Sequence, residues 1–304
     1  MKKNEIYELI NEEFSNIKLE KDVLMKEHTY FKIGGPADVM AYPQNINDVS
    51  RLIKFCNNNN IDYFVLGNGT NLLVRDKGIR GLVIKVDDNL NDIKVECNKI
   101  IAEAGAKVSR VAKMALKNSL TGLEGASGIP GSLGGGVAMN AGAYGTELKD
   151  VITKVKCIDE NGDIKEYSKE EMHFGYRHSR VHEEKLLVVE VEMEMEKGNY
   201  DDIKNSMDDY TERRNTKQPI QLPSAGSTFK RPEGDYAGRL IDVSGLRGFR
   251  YKDAQVSEKH CGFVVNLGNA TCEDVLTLIK TIQKTVKDRH GVELQREVLI
   301  VGEE

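Results

Sequence analysis

GASGIPGSLGGGVAMNAGAYG, residues 125–145, decides how this chain reads. Eight glycines fall in it: Gly125, Gly128, Gly131, Gly134, Gly135, Gly136, Gly142 and Gly145. Between them stand small residues, one proline, two serines, one asparagine and a few apolar side chains, with no lysine or arginine. Glycine at this density weakens helices and strands alike, so packing by itself explains it poorly. A bare backbone lets main-chain N–H groups come close to a phosphate or a flat ring. Anion binding here would use amides rather than side-chain charge. A flexible linker is the plain alternative. Linkers of that kind are polar, whereas Ile129, Leu133, Val137, Met139 and Tyr144 are interleaved in this stretch. We read it as a cofactor loop.

The rest of the composition limits what such a loop can serve. A length of 304 residues exceeds what one hydrophobic core usually supports, so two or three domains are expected. Hydrophobic content of 39% with 30% charged residues places the chain among soluble globular proteins. The formal net charge of −5 gives no global attraction for nucleic acid or an anionic membrane, so an anionic ligand needs a local cluster of cations. The N-terminal MKKNEIYELINEEF lacks the apolar core of a signal peptide, and no apolar run approaches a membrane span. A cytoplasmic location is expected. The five cysteines, Cys56, Cys97, Cys157, Cys261 and Cys272, are odd in number and show no CxxC spacing. They read as reduced, mostly buried thiols rather than a zinc site or a disulfide framework.

Along the chain, Ile6, Leu9, Ile10, Phe14 and Ile17 recur at helical spacing over residues 4–17. In HTYFKIGGPADVMAYP, residues 28–43, two glycines and Pro36 break structure between strand-like flanks. A helix follows with Val49, Leu52, Ile53 and Cys56 on one face. Residues 63–74, YFVLGNGTNLLV, read as strand, loop and strand. An Asn-Gly hairpin competes there with a second phosphate loop. Thr70 and Asn71 exceed what a hairpin needs, and Leu72 stands where a dinucleotide fingerprint requires glycine. Short strands are predicted at 81–86 and 100–104, a helix over 108–116, and a strand at 151–158. Val189, Val191, Met193 and Met195 alternate with four glutamates over 189–196, the mark of a strand with one wet face. Those glutamates form a solvated face, not a catalytic pair. Composition shifts at Gly198-Asn199, before a polar helix over 201–215. Thr271 with Asp274 has the spacing of a capping box, Gly291 is a plausible stop, and residues 292–301 are predicted as a final strand.

Several segments, in order, resemble one family: TYFKIGGPA (29–37), LGNGTNLLV (66–74), GIPGSLGGGVAMNAGAYG (128–145), FGYRHS (174–179), PSAGSTFKRP (223–232), AGRLID (237–242), QVSEKH (255–260) and LQREVLIVG (294–302). Together they resemble the UDP-N-acetylenolpyruvoylglucosamine reductases, flavoenzymes of bacterial peptidoglycan synthesis, over nearly the whole chain. The resemblance implies an α/β (α+β) architecture: an FAD-binding fold of the vanillyl-alcohol-oxidase type in two subdomains, plus a C-terminal α/β domain that closes over substrate. We assign residues 1–198 to the first region, split near 85–100, and 199–304 to the second. Arg177 and Ser227 are close in sequence, so the chain looks like the short subclass that lacks an extra tyrosine-bearing loop. Asp242 and Arg247 depart from the glutamate and lysine usual in the family, and neither is given a role.

The implied activity is NADPH-driven, FAD-dependent reduction of the enolpyruvyl C=C of UDP-N-acetylglucosamine enolpyruvate to UDP-N-acetylmuramate. It serves the cell wall, and through it cell shape and division. NADPH and substrate are expected to use the same cleft in turn, in a chain acting as a monomer. Three residues match the family's catalytic positions. Ser227 would donate the proton, with Lys230 lowering the cost of its alkoxide; the alternative is a turn serine. Arg177 would grip the substrate carboxylate, and Glu297, as a hydrogen-bond donor with a raised pKa, would polarise it. Without the resemblance both would be read as surface charges. Lys217 and Arg231, with Lys230 and the Tyr144 hydroxyl, would hold the diphosphate, although RRNTK by itself reads as a solvated helix end. For FAD the implied contacts are Tyr30, Gly34, Gly67, Asn68, Gly69, Thr70, Asn71, Leu72, Ser127, Gly128, Ile129, Pro130 and Gly131, with Asn140 and Gly142. No metal is expected: His178 and His182 lie four apart without a carboxylate partner in a recognisable site.

Two other functions compete: a sugar or alcohol oxidase of the same fold, and a non-catalytic nucleotide-binding module. Many such oxidases tether flavin through a histidine, and no histidine lies between His28 and His173. Acid denaturation is therefore expected to release all of the flavin from the protein; flavin remaining on the precipitated chain would favour the oxidase.

Overall fold

Alternating valines and glutamates set residues 187–194 inside a sheet. In the computed structural model, which describes residues 2–304, Leu187–Glu194 is the third of five antiparallel strands. The order is Ile164–Ser168, Ile152–Ile158, Leu187–Glu194, Lys99–Glu103, Ile93–Glu96. Val189, Val191 and Met193 are buried. On the other face, Lys156 Nζ lies 2.5 Å from Glu190 and Lys99 Nζ lies 3.1 Å from Glu192. The glutamates are partners in cross-strand ion pairs, as an outward-facing row should be.

This sheet belongs to the first of two compact units, which comprises the chain up to Glu20, Val39–Asn68 and Gly81–Arg214. The same unit holds Tyr63–Leu66, parallel to Ile79–Lys85, and the helix Ile46–Asn58, whose N-cap Asn45 accepts from Asp48 N at 3.0 Å. Its core is one cluster running from Ile6 to Met207. The glycine-rich stretch contains a short helix, Leu133–Ala138, packed on the strand Leu187–Glu194. Leu133 N donates to Ala106 O at 2.7 Å and Gly134 N to Ala104 O at 2.8 Å. A Cβ on Gly134 would stand 2.9 Å from the Cβ of Ala104. Close helix-to-backbone packing therefore accounts for part of the glycine density, contrary to expectation, and two of the expected anion-binding amides are already engaged.

The second unit comprises Lys21–Asp38, Gly69–Arg80 and Asn215–Glu304. Its antiparallel sheet has the order Ser224–Ser227, Phe263–Asn266, Ala254–Val256, Arg250–Tyr251. The helix Cys272–His290 buries Val275, Leu278, Ile279, Ile282 and Val286 in its core. It opens with the expected capping box between Thr271 and Asp274 and stops at Gly291, φ 70°. Leu299–Val301 runs parallel to Leu72–Val74.

Four boundaries differ from the sequence reading. The unit boundary near the C-terminal part falls after Arg214 rather than Gly198, because Ile203 and Met207 of the helix Tyr200–Lys217 join the first core. Segments 21–38 and 69–80 count with the second unit, where Phe31, Ile33 and Leu73 enter its core. The first helix is Lys3–Glu13, ending short of Ile17. The last strand is Leu299–Val301, since its partner is three residues long, and Glu297 precedes it. The hairpin alternative for 63–74 fails: its two strands each pair in parallel with a different strand.

The helix Cys272–His290 has a second cap from outside its own segment. Asp76 accepts from Cys272 N at 2.8 Å and Glu273 N at 3.2 Å, placing an anion at the positive helix end. Asp76→Ala is expected to destabilise the fold by about 1 kcal/mol, and Asp76→Asn by less. Urea unfolding followed by circular dichroism reads the difference.

Candidate active site

In the first unit, a cavity of about 450 Å³ is lined by Tyr63–Val65, Gly67, Ala104, Ser132, Gly134, Gly135, Asp159 and Lys185–Val188, among others. One wall is thus built from both glycine loops. At the first loop, a Cβ on Gly67 would stand 2.5 Å from Ser132 Oγ, so the two loops approach closely here. Asn68 Nδ2 donates to Pro130 O at 3.2 Å, which ties the first loop to the second. Beneath Gly67, Lys85 is 6% exposed and donates from Nζ to Gly67 O at 2.5 Å, with Asp87 3.4 Å away. Burial pushes the Lys85 ammonium below the usual lysine range, against the pull of Asp87.

The residues fit an FAD. Ser127 Oγ is buried with no hydrogen-bond partner among the described residues, a vacancy that a ligand oxygen would fill. Arg214 Nη1 lies 2.7 Å from where a Cβ of Gly128 would stand, so the guanidinium lies against bare backbone of the second loop. Burial lowers the Arg214 pKa, while Tyr144 nearby opposes the shift. Tyr144 stacks on Tyr210 at 4.6 Å with the rings 5° from parallel. Asp159, which the Lys165 ammonium at 2.7 Å holds below the usual carboxylate range, supplies a polar wall of the cavity.

Asn140 departs most from its expected role. It is fully buried, and its side chain bonds Glu147, Gly175 and Lys149. Gly142 pairs with Glu147 in a two-strand hairpin, and a Cβ there would lie 2.4 Å from Thr146 O. Asn140 is thus taken up by protein partners, while Gly142 stays half-buried. Arg177 sits at the tip of a turn closed by Gly175 N→His178 O at 3.0 Å, with its guanidinium 5.1 Å from the Tyr176 ring.

The second unit holds the remaining predicted residues. Ser227 ends the strand Ser224–Ser227. The next residue, Thr228, accepts from Glu297 N at 2.9 Å through its carbonyl, and Phe229 bridges Arg296. Ser227 and Glu297 are therefore held on adjoining backbone. Asn71 Nδ2 donates to Glu297 O at 3.2 Å, and Leu299 N donates to Asn71 O at 3.0 Å, so the Gly69–Leu72 segment is fixed against Glu297. Tyr30 N donates to Gly69 O at 3.0 Å. Gly34 packs on Val74 and Met25. Lys230 N donates to Gln295 O at 2.8 Å. Arg231 lies over the Tyr236 ring at 4.1 Å, and Lys217 is exposed. Asp242 and Arg247 pair with each other, with Arg247 Nη2 2.6 Å from Asp242.

Sequence reasoning missed Lys85, Ser132 and Asp159, whose signals are a lone lysine in an apolar strand, one serine among glycines and an unremarkable turn acid. Arg214 was visible only as half of an Arg-Arg pair. Among the described residues, no group of three or more His, Cys, Asp or Glu side chains could hold a metal. No helix there is long and apolar enough to cross a membrane.

Comparison with known proteins agrees with this geometry. Residues 37–168 match the model of an FAD binding domain, and residues 218–301 that of the UDP-N-acetylenolpyruvoylglucosamine reductase C-terminal domain. A UDP-N-acetylenolpyruvoylglucosamine reductase of Caldanaerobacter subterraneus is 54% identical over 279 residues, covering 92% of both chains. One from Clostridium perfringens is 51% identical over 298 residues, covering 98% of both. The crystal structure of the Thermus caldophilus enzyme superposes with a TM-score of 0.81 at 33% identity, over 93% of this chain and 99% of that one. A chitooligosaccharide oxidase, at 15% identity and a TM-score of 0.50 over 96% of this chain and 60% of its own, shares the fold alone. This chain belongs to the UDP-N-acetylenolpyruvoylglucosamine reductase family.

Proposed function

We propose that the chain reduces UDP-N-acetylglucosamine enolpyruvate to UDP-N-acetylmuramate, using FAD and NADPH, and so supplies peptidoglycan synthesis. The observation that carries this reading is identity at about half of all positions, over nearly the full chain, to reductases of that name. We place the reaction in the cytoplasm, with the chain acting as a monomer that takes NADPH and the enolpyruvyl sugar in turn.

FAD would be held by Gly67, Asn68 and Ser127 to Gly131, joined by Ser132 and Arg214, and by Tyr30, Gly34 and Gly69 to Leu72. Arg214, which lies against Gly128, adds the cationic charge that the glycine stretch itself lacks. When bound, FAD would supply the hydride chemistry that links NADPH to the terminal carbon of the enolpyruvyl double bond. Arg177 binds the substrate carboxylate and offsets the negative charge that grows beside it. Glu297, protonated, donates a hydrogen bond to the same carboxylate. Ser227 gives its hydroxyl proton to the carbon next to the carboxylate, and the alkoxide it leaves regains a proton from water. Lys217, Lys230, Arg231 and Tyr144 hold the diphosphate.

This division of labour separates the two half-reactions. Ser227→Ala is expected to leave flavin reduction by NADPH intact and to slow reoxidation by the enolpyruvyl sugar by about 1,000-fold. Anaerobic stopped-flow absorbance of the flavin measures both steps, and equal losses in both would remove Ser227 from its role. Lys85→Met keeps the stem of the side chain but loses the charged hydrogen bond to Gly67. FAD affinity is expected to weaken about tenfold, read by fluorescence titration of the apoprotein.

A further inference from the structure

Asn140 is fully buried, and both polar atoms of its side chain are bonded to neighbours. Nδ2 donates to Glu147 Oε2 and to Gly175 O, both at 3.0 Å, while Oδ1 accepts from Lys149 N at 3.1 Å. The two acceptors belong to different turns. Glu147 stands at the foot of a hairpin, paired with Gly142, whose tip is Tyr144-Gly145. Gly175 stands at the foot of a tighter turn, bridged to His178, whose tip is Tyr176-Arg177. One buried amide therefore fastens both feet.

The tips need such fastening. Tyr144 has φ 55°, Arg177 φ 53° and Asn140 itself φ 40°. These are left-handed conformations, disfavoured for residues with a Cβ and kept where the surroundings enforce them. The turn that carries Arg177 has further braces: Ser179 Oγ donates to Ala138 O at 2.8 Å, and Glu183 lies 2.8 Å from His178 Nε2 and 3.0 Å from His173 Nδ1. These contacts hold the turn from one side. The Asn140 amide ties it to the Tyr144 hairpin as well. Two donors and an acceptor on one flat group do this; aspartate has the same shape but no donor, and alanine has neither.

We propose that Asn140 is a positioning residue for the reduction, fixing Arg177 and Tyr144 in register with each other, and not a ligand of FAD. The proposal rests on the reading of Arg177 as the group that binds the substrate carboxylate. A guanidinium that drifts by an ångström loses its two-point grip on a carboxylate, and rate falls with it.

The test is a double-mutant cycle on the holoenzyme: Asn140→Ala, Arg177→Ala and the two combined. Each is prepared with bound FAD, reduced anaerobically and mixed with the enolpyruvyl sugar. Arg177→Ala is expected to slow flavin reoxidation at least about 100-fold, and Asn140→Ala about tenfold or more. The combined variant is expected to be slower than Arg177→Ala by no more than about threefold, because only Tyr144 is then left for the amide to position. In Asn140→Ala, FAD content and flavin reduction by NADPH are expected to change less than about threefold, a pattern that general loosening of the fold would not leave. Multiplication of the two losses would overturn the proposal, and so would an Asn140→Ala variant of normal rate or one purified without FAD. A normal rate for Arg177→Ala would instead overturn the reading of Arg177 and the proposal with it. If the alanine variant does not fold, the isosteric Asn140→Asp goes through the same cycle with the same expectations.

Discussion

A helix laid against the turn at 104–106, with a glycine at the contact, is the constraint on which the first unit depends. Leu133 N and Gly134 N donate to the carbonyls of Ala106 and Ala104, and Gly134 has no room for a Cβ. That contact fixes the direction of residues 131–139. Ser132, Gly134 and Gly135 then face the cavity, and the chain beyond the helix emerges at Asn140. A larger residue at Gly134 would push the helix outward, and the cavity wall and the buried amide would move together. Glycine here serves close approach first and cofactor access second.

The distribution of cations follows from the same economy of space. The glycine stretch carries no positive side chain, so charge arrives from other elements: Arg214 against Gly128 and Lys85 beneath Gly67. Both are shielded from water, where a charge acts more strongly on a ligand than at the surface. Other cations are engaged in exposed pairs. Arg213 bonds Asp209 and Arg247 bonds Asp242, interactions worth little to stability. The Asp242–Arg247 pair is also local in sequence. Each satisfies the other's charge at the helix Ala237–Val243 and the turn that follows it.

In the second unit, order comes from backbone ties. Glu297 lies outside the final strand, yet its N–H is bonded to Thr228 and its carbonyl to Asn71. A residue in irregular structure is thereby held as firmly as one in a sheet. The predicted proton donor Ser227 is one residue from Thr228. The backbone spacing of Ser227 and Glu297 is thereby set by main chain.

By itself, the sequence determined those elements whose signals are local. The alternation at 189–194, the capping box at Thr271 and Asp274 and the apolar face of the last helix were each legible because period and cap chemistry involve neighbours in the chain. Motif order made the family legible for the same reason. Tertiary structure decided what depends on residues distant in sequence. The helix Tyr200–Lys217 joined the first core through two side chains, Ile203 and Met207, too few to show in composition. Lys85 became a prop for Gly67 because parallel pairing brought their strands together. Asn140 read as a cofactor residue because it stands in a glycine loop; which acceptors its amide would find was fixed when the hairpin that follows it and the remote turn at Gly175 folded against it. A hydrogen bond needs a partner at about 3 Å, and no spacing in a linear sequence encodes that distance.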